Sequence, residues 1–462
     1  MSHDKLLGEE KVMTALMKLS IPATIAMIVN AVFNLVDTIF IGRSEGSVGI
    51  AGIAVFLPIQ MIIMSLAVMM GIGSASLMSR LLGQKNRELI NYVAGNLFII
   101  TALISIMSGV GGYVFAEQLL RFFGASETIL PYALDYAKAM FLGTTYFPIC
   151  VASNNLVRAE GNAKDAMNVM IIGMFINIFL DYLFIFTLDM GMWGAGLATS
   201  ISKFADLLYL IWYFIHKSKV SFGWKYLVPR FDILSEVFAV GFSGFVIQAS
   251  SSIVATAMNH SLYYYGGDMA LSIYGIVFKV TMFLLMPIHG IVQGMQPIIG
   301  YSKGAGNNPR IKETLKITLG LTTGLSSTVL IAALVFPELI IRLFSNEEVL
   351  IDLGKNVLRI VVLMSPLVGV QMMGVGLFQS IGNGRISLIL SVLRQLVLFI
   401  PLIYILPRIQ DAGIWGIWAA YPIADFVTAA VTMLIGFSYL RSLTHQAELT
   451  GQPVSSACRV KP

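Results

Sequence analysis

The chain has 462 residues, of which 57% are hydrophobic and 12% are charged, and its mean hydropathy is +0.81. No soluble domain can bury so large an apolar share, so the composition excludes a water-soluble protein and predicts one embedded in a lipid bilayer. The formal net charge of +5 comes from basic residues in a few loops and does not indicate nucleic-acid binding.

Apolar runs of about 20 or more residues recur along the chain, and each is long enough to cross a hydrocarbon core about 30 Å thick. We predict an all-α integral membrane protein with twelve transmembrane helices. The predicted spans are 14–41, 50–79, 91–116, 131–157, 165–188, 193–215, 236–263, 270–300, 313–336, 351–380, 385–406 and 413–440.

An internal repeat divides these spans into two sets of six. Many matched residues are 221 positions apart, among them Gly73 with Gly294 and Gly161 with Gly382. An even number of helices per copy gives a parallel repeat, a common plan for secondary transporters. The predicted units are an N-terminal lobe (1–216), a cytoplasmic inter-lobe loop (217–235), a C-terminal lobe (236–440) and a cytoplasmic tail (441–462).

Basic residues concentrate in the connections after spans 2, 4, 6 and 8 (Arg80, Lys85, Arg87, Arg158, Lys164, Lys217, Lys219, Lys225, Arg230, Lys303, Arg310, Lys312 and Lys316). By the positive-inside rule these connections face the cytoplasm, and so do both termini. The predicted location is the inner (plasma) membrane of the cell, crossed many times.

Two spans of the first half carry acids among polar side chains. Span 1 has Asn30, Asn34 and Asp37 on one helical face, and span 5 has Asn177 and Asp181. An aspartate at mid-membrane costs about 2.5–3.5 kcal/mol on insertion scales, so it normally faces a cavity or a partner. Two nearby carboxylates can hold a proton, and together with amide oxygens they can also coordinate Na⁺. The alternative is that these side chains only hydrogen-bond between packed helices.

The second copy lacks these acids. At the offset of 221, Asn34 and Asp37 correspond to Ala255 and Met258, and the positions that match Asp181 are apolar. A pair with a purely structural role should have survived in both copies. We therefore predict that the cation site belongs to the first half.

Other charges within the spans are predicted to be structural before functional, and their roles stay open. Lys203 and Asp206 are three residues apart on span 6 and are placed to pair with each other. Lys279, Arg394 and Asp425 lie in the second half. They are expected to form ion pairs or to reach towards the membrane surface.

Several strings resemble the multidrug and toxic compound extrusion (MATE) transporters, and they extend over nearly the whole chain. They are Asn34-Leu-Val-Asp37-Thr-Ile-Phe-Ile-Gly42, Arg158-Ala-Glu-Gly-Asn162, Asn177-Ile-Phe-Leu-Asp181, Gly191-Met-Trp-Gly-Ala-Gly196 and Gln293-Gly-Met-Gln296-Pro-Ile-Ile-Gly-Tyr301. Acids confined to the first half resemble the DinF-type branch, which includes MepA-like efflux proteins.

The resemblance implies two six-helix lobes that alternate between outward and inward openings and export cationic or amphipathic drugs in exchange for H⁺ or Na⁺. It implies Asp37, Asn177, Asp181 and Thr199 as the cation-coupling residues and Pro22 as the bend of span 1. Asn30, Tyr136 and Asn154 are looser matches for the wall of the substrate cavity. To that wall we add Asn34 and Met258, the latter because flexible thioethers suit varied ligands.

A flippase and a membrane-embedded enzyme are the two alternative function classes. A flippase for lipid-linked saccharides needs several cationic side chains to bind pyrophosphate, and only Lys203, Lys279 and Arg394 are candidates. A membrane-embedded enzyme needs clustered His ligands or a nucleophile beside a base, and the five histidines are scattered. The expected partners are small molecules and the lipid bilayer, with no nucleic acid, no cofactor beyond the coupling ion, and function as a monomer.

Overall fold

A computed structural model describes residues 3–221, 223–342 and 347–450. Over these ranges the chain is helical, with short connections and no β-strand. Six membrane-length elements form the first half: α1 (Val12–Ser44), α2 (Gly46–Gly83), α3 (Arg87–Val114), α4 (Leu130–Thr144 and Phe147–Ala159), α5 (Ala163–Asp181, continued as a π-helix over Tyr182–Thr187) and α6 (Gly191–His216).

The second half repeats this order. It contains α7 and α8 (together Phe231–Gly304), α9 (Asn308–Val335), α10 (Glu348–Val362 and Ser365–Ser380), α11 (Gly384–Val392, the π-helix Leu393–Phe399 and Ile400–Ile405) and α12 (Gly413–Thr450). Shorter helices lie at His3–Gly8, Trp224–Leu227, Ala116–Phe122, Pro337–Arg342 and Leu406–Asp411.

Twelve elements agree with the twelve predicted spans. Eight helices of the described ranges are long and apolar enough to cross a membrane, and the bent α10 adds a ninth. One of the eight, Phe231–Gly304, has 74 residues and contains both α7 and α8, so it stands for two spans. The remaining two elements are α4, which is broken into short halves, and α6, which carries Lys203 and Asp206 within its length.

Two predicted spans are broken rather than continuous. Residues 131–157 are interrupted between Thr144 and Phe147, and residues 351–380 bend by 46° between Val362 and Ser365. In both cases a proline stands in the first turn of the following segment. Proline has no N–H group and clashes with the preceding turn, which favours a new helix start at that point.

The other differences concern element ends. A residue with φ of 60° and ψ of −155°, Gly267, separates α7 from α8; glycine tolerates that conformation because it has no Cβ. The last helix, predicted over 413–440, continues to Thr450. The remainder of the predicted tail, residues 451–462, lies outside the described residues.

The repeat is visible in how helices begin. Four asparagines in two repeat pairs cap helix N-termini, and each side chain accepts a hydrogen bond from a backbone N–H three residues later at 3.1–3.3 Å. They are Asn86 with Asn307 and Asn162 with Asn383. Such a cap satisfies one of the free N–H groups of the first turn.

The two lobes share one apolar core at one end of the molecule. This cluster combines first-half residues such as Leu16 and Leu77 with second-half residues such as Ile299 and Phe378. We call this end, where the basic connections lie, the basic end. At the opposite end each half has a separate core, one around Phe56 and the other around residues of α7, α8, α10 and α12.

Close backbone contacts form the junction of the lobes at the basic end, which we call the seam. A methyl group added at Gly83 would lie 2.0 Å from the Tyr301 carbonyl oxygen, and one at Gly304 would lie 1.8 Å from that of Arg80. The Arg80 guanidinium also forms an ion pair with Glu236 at 2.6 Å. Glycine is required here because any side chain would separate the helices.

Candidate cation site

Among the polar side chains in the upper part of helix α1, the acid is buried in the protein and the others are exposed. Asp37 is 7% exposed, whereas Asn30, Asn34 and Thr38 are exposed. The Asn34 amide donates to the Asn30 carbonyl at 2.7 Å, and the Thr38 hydroxyl donates to the Asn34 carbonyl at 2.8 Å. The structure therefore separates Asp37 from Asn30 and Asn34, which the sequence spacing placed on the same helical face. Pro22 lies lower in the same continuous helix.

Helix α5, which packs against α1, supplies the second acid. Asn177 and Asp181 are both fully buried. The Asn177 amide donates to the Thr199 hydroxyl of α6 at 3.3 Å, so three of the four predicted coupling residues come from two neighbouring helices. Asp37 and Asp181 are close enough to interact electrostatically.

Four oxygens of this cluster have no hydrogen-bond donor within reach in the part of the chain that the structure describes. Within residues 3–221, 223–342 and 347–450, no hydrogen-bond partner exists for either carboxylate oxygen of Asp181, for Asp37 Oδ1 or for Asn177 Oδ1. A buried carboxylate without a partner is costly as an anion. The arrangement can therefore take up a proton or hold a small hard cation through oxygen ligands.

Tyr136, predicted on the substrate-cavity wall, lies at this cluster instead. It is buried and contacts the ring of Phe56 edge-on with a centroid distance of 5.6 Å. It also lies within electrostatic range of Asp37 and Asp181. The sequence spacing could not show this, because Tyr136 is on α4 whereas the two acids are on α1 and α5.

Asn154 and Met258, both predicted on the substrate-cavity wall, are buried in the packing of the helices. Asn154 is buried, donates to the Ala166 carbonyl at 2.9 Å and accepts from Arg158 at 2.8 Å, so its polar atoms serve the packing of α4 on α5. Met258 is completely buried in the apolar core of the second half. The repeat position of Asp37 has thus become a core position.

A cavity at the seam was missed from the sequence. It has a volume of about 30 Å³, room for little more than water, and is lined by residues that include Asn155, Arg158, Gln296 and Gln379. The Arg158 guanidinium donates to Asn155 at 2.8 Å, and the Gln296 amide donates to the Gln379 side-chain carbonyl at 2.8 Å. Arg158 and Gln296 stand in the family-like strings and could have been singled out there.

The remaining charges form the ion pairs that were expected. Lys203 contacts Asp206 at 2.9 Å, and Arg394 contacts Asp425 at 2.7 Å; Lys279 is exposed. Two of the three cations that a pyrophosphate-binding flippase would need are therefore held by carboxylates. This arrangement weakens the flippase hypothesis.

Comparisons with known proteins identify the family. The MatE family model matches residues 22–183 and 242–405, more than half of the chain. The chain is 28% identical over 437 residues to the Multidrug export protein MepA of Staphylococcus haemolyticus, covering 94% of this chain and 96% of that protein.

Solved structures are similar over almost the whole length. A crystal structure described as MATE in the bent conformation superposes with a TM-score of 0.91 at 26% identity, covering 97% of this chain and 99% of that chain. One described as MATE in the straight conformation gives 0.90 at 27% identity, covering 96% and 99%. The twelve-helix, two-lobe architecture is confirmed by this likeness.

Proposed function

The chain belongs to the MATE family of transporters, and on that premise we propose that it is an antiporter that exports cationic or amphipathic drugs in exchange for H⁺ or Na⁺. As a family member it is a transporter and not an enzyme. The observation that carries the proposal is the pair of buried first-half carboxylates, with both Asp181 oxygens free of partners among the described residues.

The proposed coupling site consists of Asp37, Asn177, Asp181 and Thr199, with the buried Tyr136 nearby. A proton or Na⁺ that enters it removes one negative charge from the acid pair and changes the contact between α1 and α5. Pro22 supports a bend of α1, because proline leaves one backbone carbonyl of the preceding turn without its hydrogen bond. The relatives solved in a bent and a straight conformation support a family scaffold that adopts more than one shape.

Transport then follows from the coupling between this site and the lobes. The shared core at the basic end and the separate cores at the opposite end favour a cleft that opens away from the seam. A cation shifts the balance between two conformations only by its difference in affinity for them, typically about 1–3 kcal/mol. The ion enters the site from the outer side and the drug enters from the cytoplasmic side, so that each is exchanged for the other across the membrane.

The proposed setting is the plasma membrane, with the basic end and both termini in the cytoplasm, as the positive-inside rule predicts. The relatives named as multidrug exporters support small molecules as substrates. We propose that one chain is the functional unit, because both lobes and the complete acid cluster belong to a single chain.

Drug efflux from proteoliposomes tests this function, with a pH gradient and a Na⁺ gradient imposed separately. We expect one of the two gradients to drive accumulation of a fluorescent cationic drug against its concentration. Transport that ignores both gradients would contradict antiport. The choice between H⁺ and Na⁺ is read directly from which gradient works.

A further inference from the structure

The short N-terminal helix His3–Gly8 lies across the seam and contacts both halves. Its Leu7 is 1% exposed and packs on Gly161 of the first half. The Leu7 carbonyl accepts a hydrogen bond from Arg310 Nε of the second half at 2.9 Å. Gly8 lies against the ring of Tyr301. Three parts of the chain therefore meet at this point.

A pocket of about 320 Å³ opens where they meet. Its lining includes Glu9 of the N-terminal segment, Lys85 after α2, and Asn307 and Arg310 at the start of α9. Two of these residues are cationic and one is acidic. Glu9 is exposed, and the neighbouring acid Glu10 is engaged with Lys18 at 2.5 Å.

Arg310 is the unusual member of this lining. It is 8% exposed, and although its Nε is bonded to Leu7, its buried Nη2 has no acceptor anywhere in the described parts of the chain. The residue stands in the first turn of α9, a helix of 28 residues whose partial positive end adds to the same field. A buried guanidinium nitrogen without an acceptor is costly.

We propose that this pocket binds a phosphate group, either of free inorganic phosphate or of a lipid headgroup, and that the bound anion ties the two halves together at the basic end. Phosphate oxygens match the geometry of a guanidinium and of a helix N-terminus, and Lys85 supplies a second cation from the other lobe. Because the site exists only when the seam is closed, phosphate binding favours the closed seam. This proposal stands independently of the transport proposal.

The test is a thermal-stability titration of the purified full chain. Sodium phosphate is added in detergent at constant ionic strength, set with sodium chloride. In parallel, the protein is placed in phosphatidylcholine nanodiscs with or without phosphatidylglycerol. We expect a saturable rise in Tm, and about tenfold weaker binding for Arg310→Gln, the usual effect of losing a charge-assisted hydrogen bond. Lys316→Gln, an exposed change two turns further along α9, should leave the titration unchanged.

The two arms separate the sources of the phosphate. A rise with free phosphate in detergent identifies the inorganic ion as sufficient, and a rise confined to phosphatidylglycerol nanodiscs identifies the lipid headgroup. If Arg310→Gln does not fold, the exposed Lys85→Gln takes its place, with the same loss of affinity expected. An unchanged Tm in both arms, or equal responses of wild type and the pocket variants, overturns the proposal.

Discussion

Four aspartates within the helices show how one residue type takes different roles according to its partner. Asp206 and Asp425 each contact a basic side chain within 2.9 Å. Neither oxygen of Asp181 has a hydrogen-bond partner among the described residues, whereas Asp37 and the ion-paired Asp206 each keep one buried oxygen without one. An ion pair satisfies a carboxylate permanently, whereas an unpaired one can bind and release a cation. This difference supports the proposal that the Asp37 and Asp181 pair serves coupling.

The first prediction concerns these two acids. Asp37→Asn and Asp181→Asn should each abolish ion-driven drug efflux in proteoliposomes, because an amide can neither take up a proton nor neutralise Na⁺. Insertion and fold should persist, since each change removes an unpaired buried charge. Size-exclusion profiles and Tm values check the fold.

The matched control is Met258→Leu, at the repeat position of Asp37. That side chain is fully buried in an apolar core, and a volume-conserving swap there typically costs less than about 1.5 kcal/mol. Efflux should be nearly normal. Equal damage from Met258→Leu and Asp37→Asn would show that the two halves do not differ as proposed.

The second prediction links the ion to the drug. Binding of a fluorescent cationic drug should weaken as pH falls, or as Na⁺ rises, because the cation that fills the acid cluster reshapes the first-half lobe. Asp37→Asn should flatten this dependence. Equilibrium titrations in nanodiscs across pH and Na⁺ measure it, and a wild-type affinity indifferent to both ions would rule out direct coupling through the cluster.

At the scale of elements, Glu160 fastens the connection between α4 and α5 to the end of α6. It is buried and accepts hydrogen bonds from the Tyr213 hydroxyl at 2.7 Å, the Ser218 hydroxyl at 2.6 Å and the Lys219 backbone N–H at 3.2 Å. Burial raises the pKa of Glu160, and these hydrogen bonds oppose the rise by stabilising the anion. Because the folded-state pKa is raised, protonation of Glu160 favours the folded state. This contribution to stability is full below the unfolded-state pKa and is lost as the pH rises through the folded-state pKa.

The third prediction follows from that balance. Tyr213→Phe removes a donor to the Glu160 anion, so it should lower stability by about 1–3 kcal/mol at neutral pH. The loss should be smaller in acid, where Glu160 is protonated in either protein. Tm values at both pH extremes measure the difference. Tyr113→Phe, at an exposed tyrosine, should change nothing, and a loss for Tyr213→Phe that is equal at all pH values would contradict the role of the anion.

Hydropathy and the repeat predicted the twelve spans, and the polar residues Asp37, Asn177 and Asp181 stood out in the local sequence, whereas Thr199 was implied only by the family resemblance. The breaks in α4 and α10 were missed, since an apolar run looks the same whether or not its helix is interrupted. Met258 was assigned to a wall because a methionine serves equally in a core or a cavity. Only packing between distant helices separates those cases.

At the scale of the molecule, the seam depends on backbone contact between α2 and α8. The fourth prediction is that Gly304→Ala opens it, because the new methyl group would lie 1.8 Å from the Arg80 carbonyl oxygen. A reporter Ala75→Cys, which lines the seam cavity, is placed in a background with Cys150→Ala and Cys458→Ser. Its reaction with an impermeant maleimide from the basic side should become about tenfold faster, since overpacking typically costs about 1–3 kcal/mol.

Gly320→Ala is the control for that measurement. A methyl group there meets nothing within 4 Å, so the labelling rate should match the parent protein. Slow labelling in both variants would show that the α2 and α8 contact does not govern access from the basic end.

The shared core has a consequence for how the protein is made. Leu16 and Leu77 leave the ribosome long before Ile299 and Phe378, yet all four belong to one apolar cluster. The newly synthesised first half must therefore wait in the membrane with part of its packing surface facing lipid. This delay costs little free energy, because lipid tails solvate apolar side chains about as well as a protein core does. Assembly is thus completed late, when α8 and α10 arrive and the cluster closes.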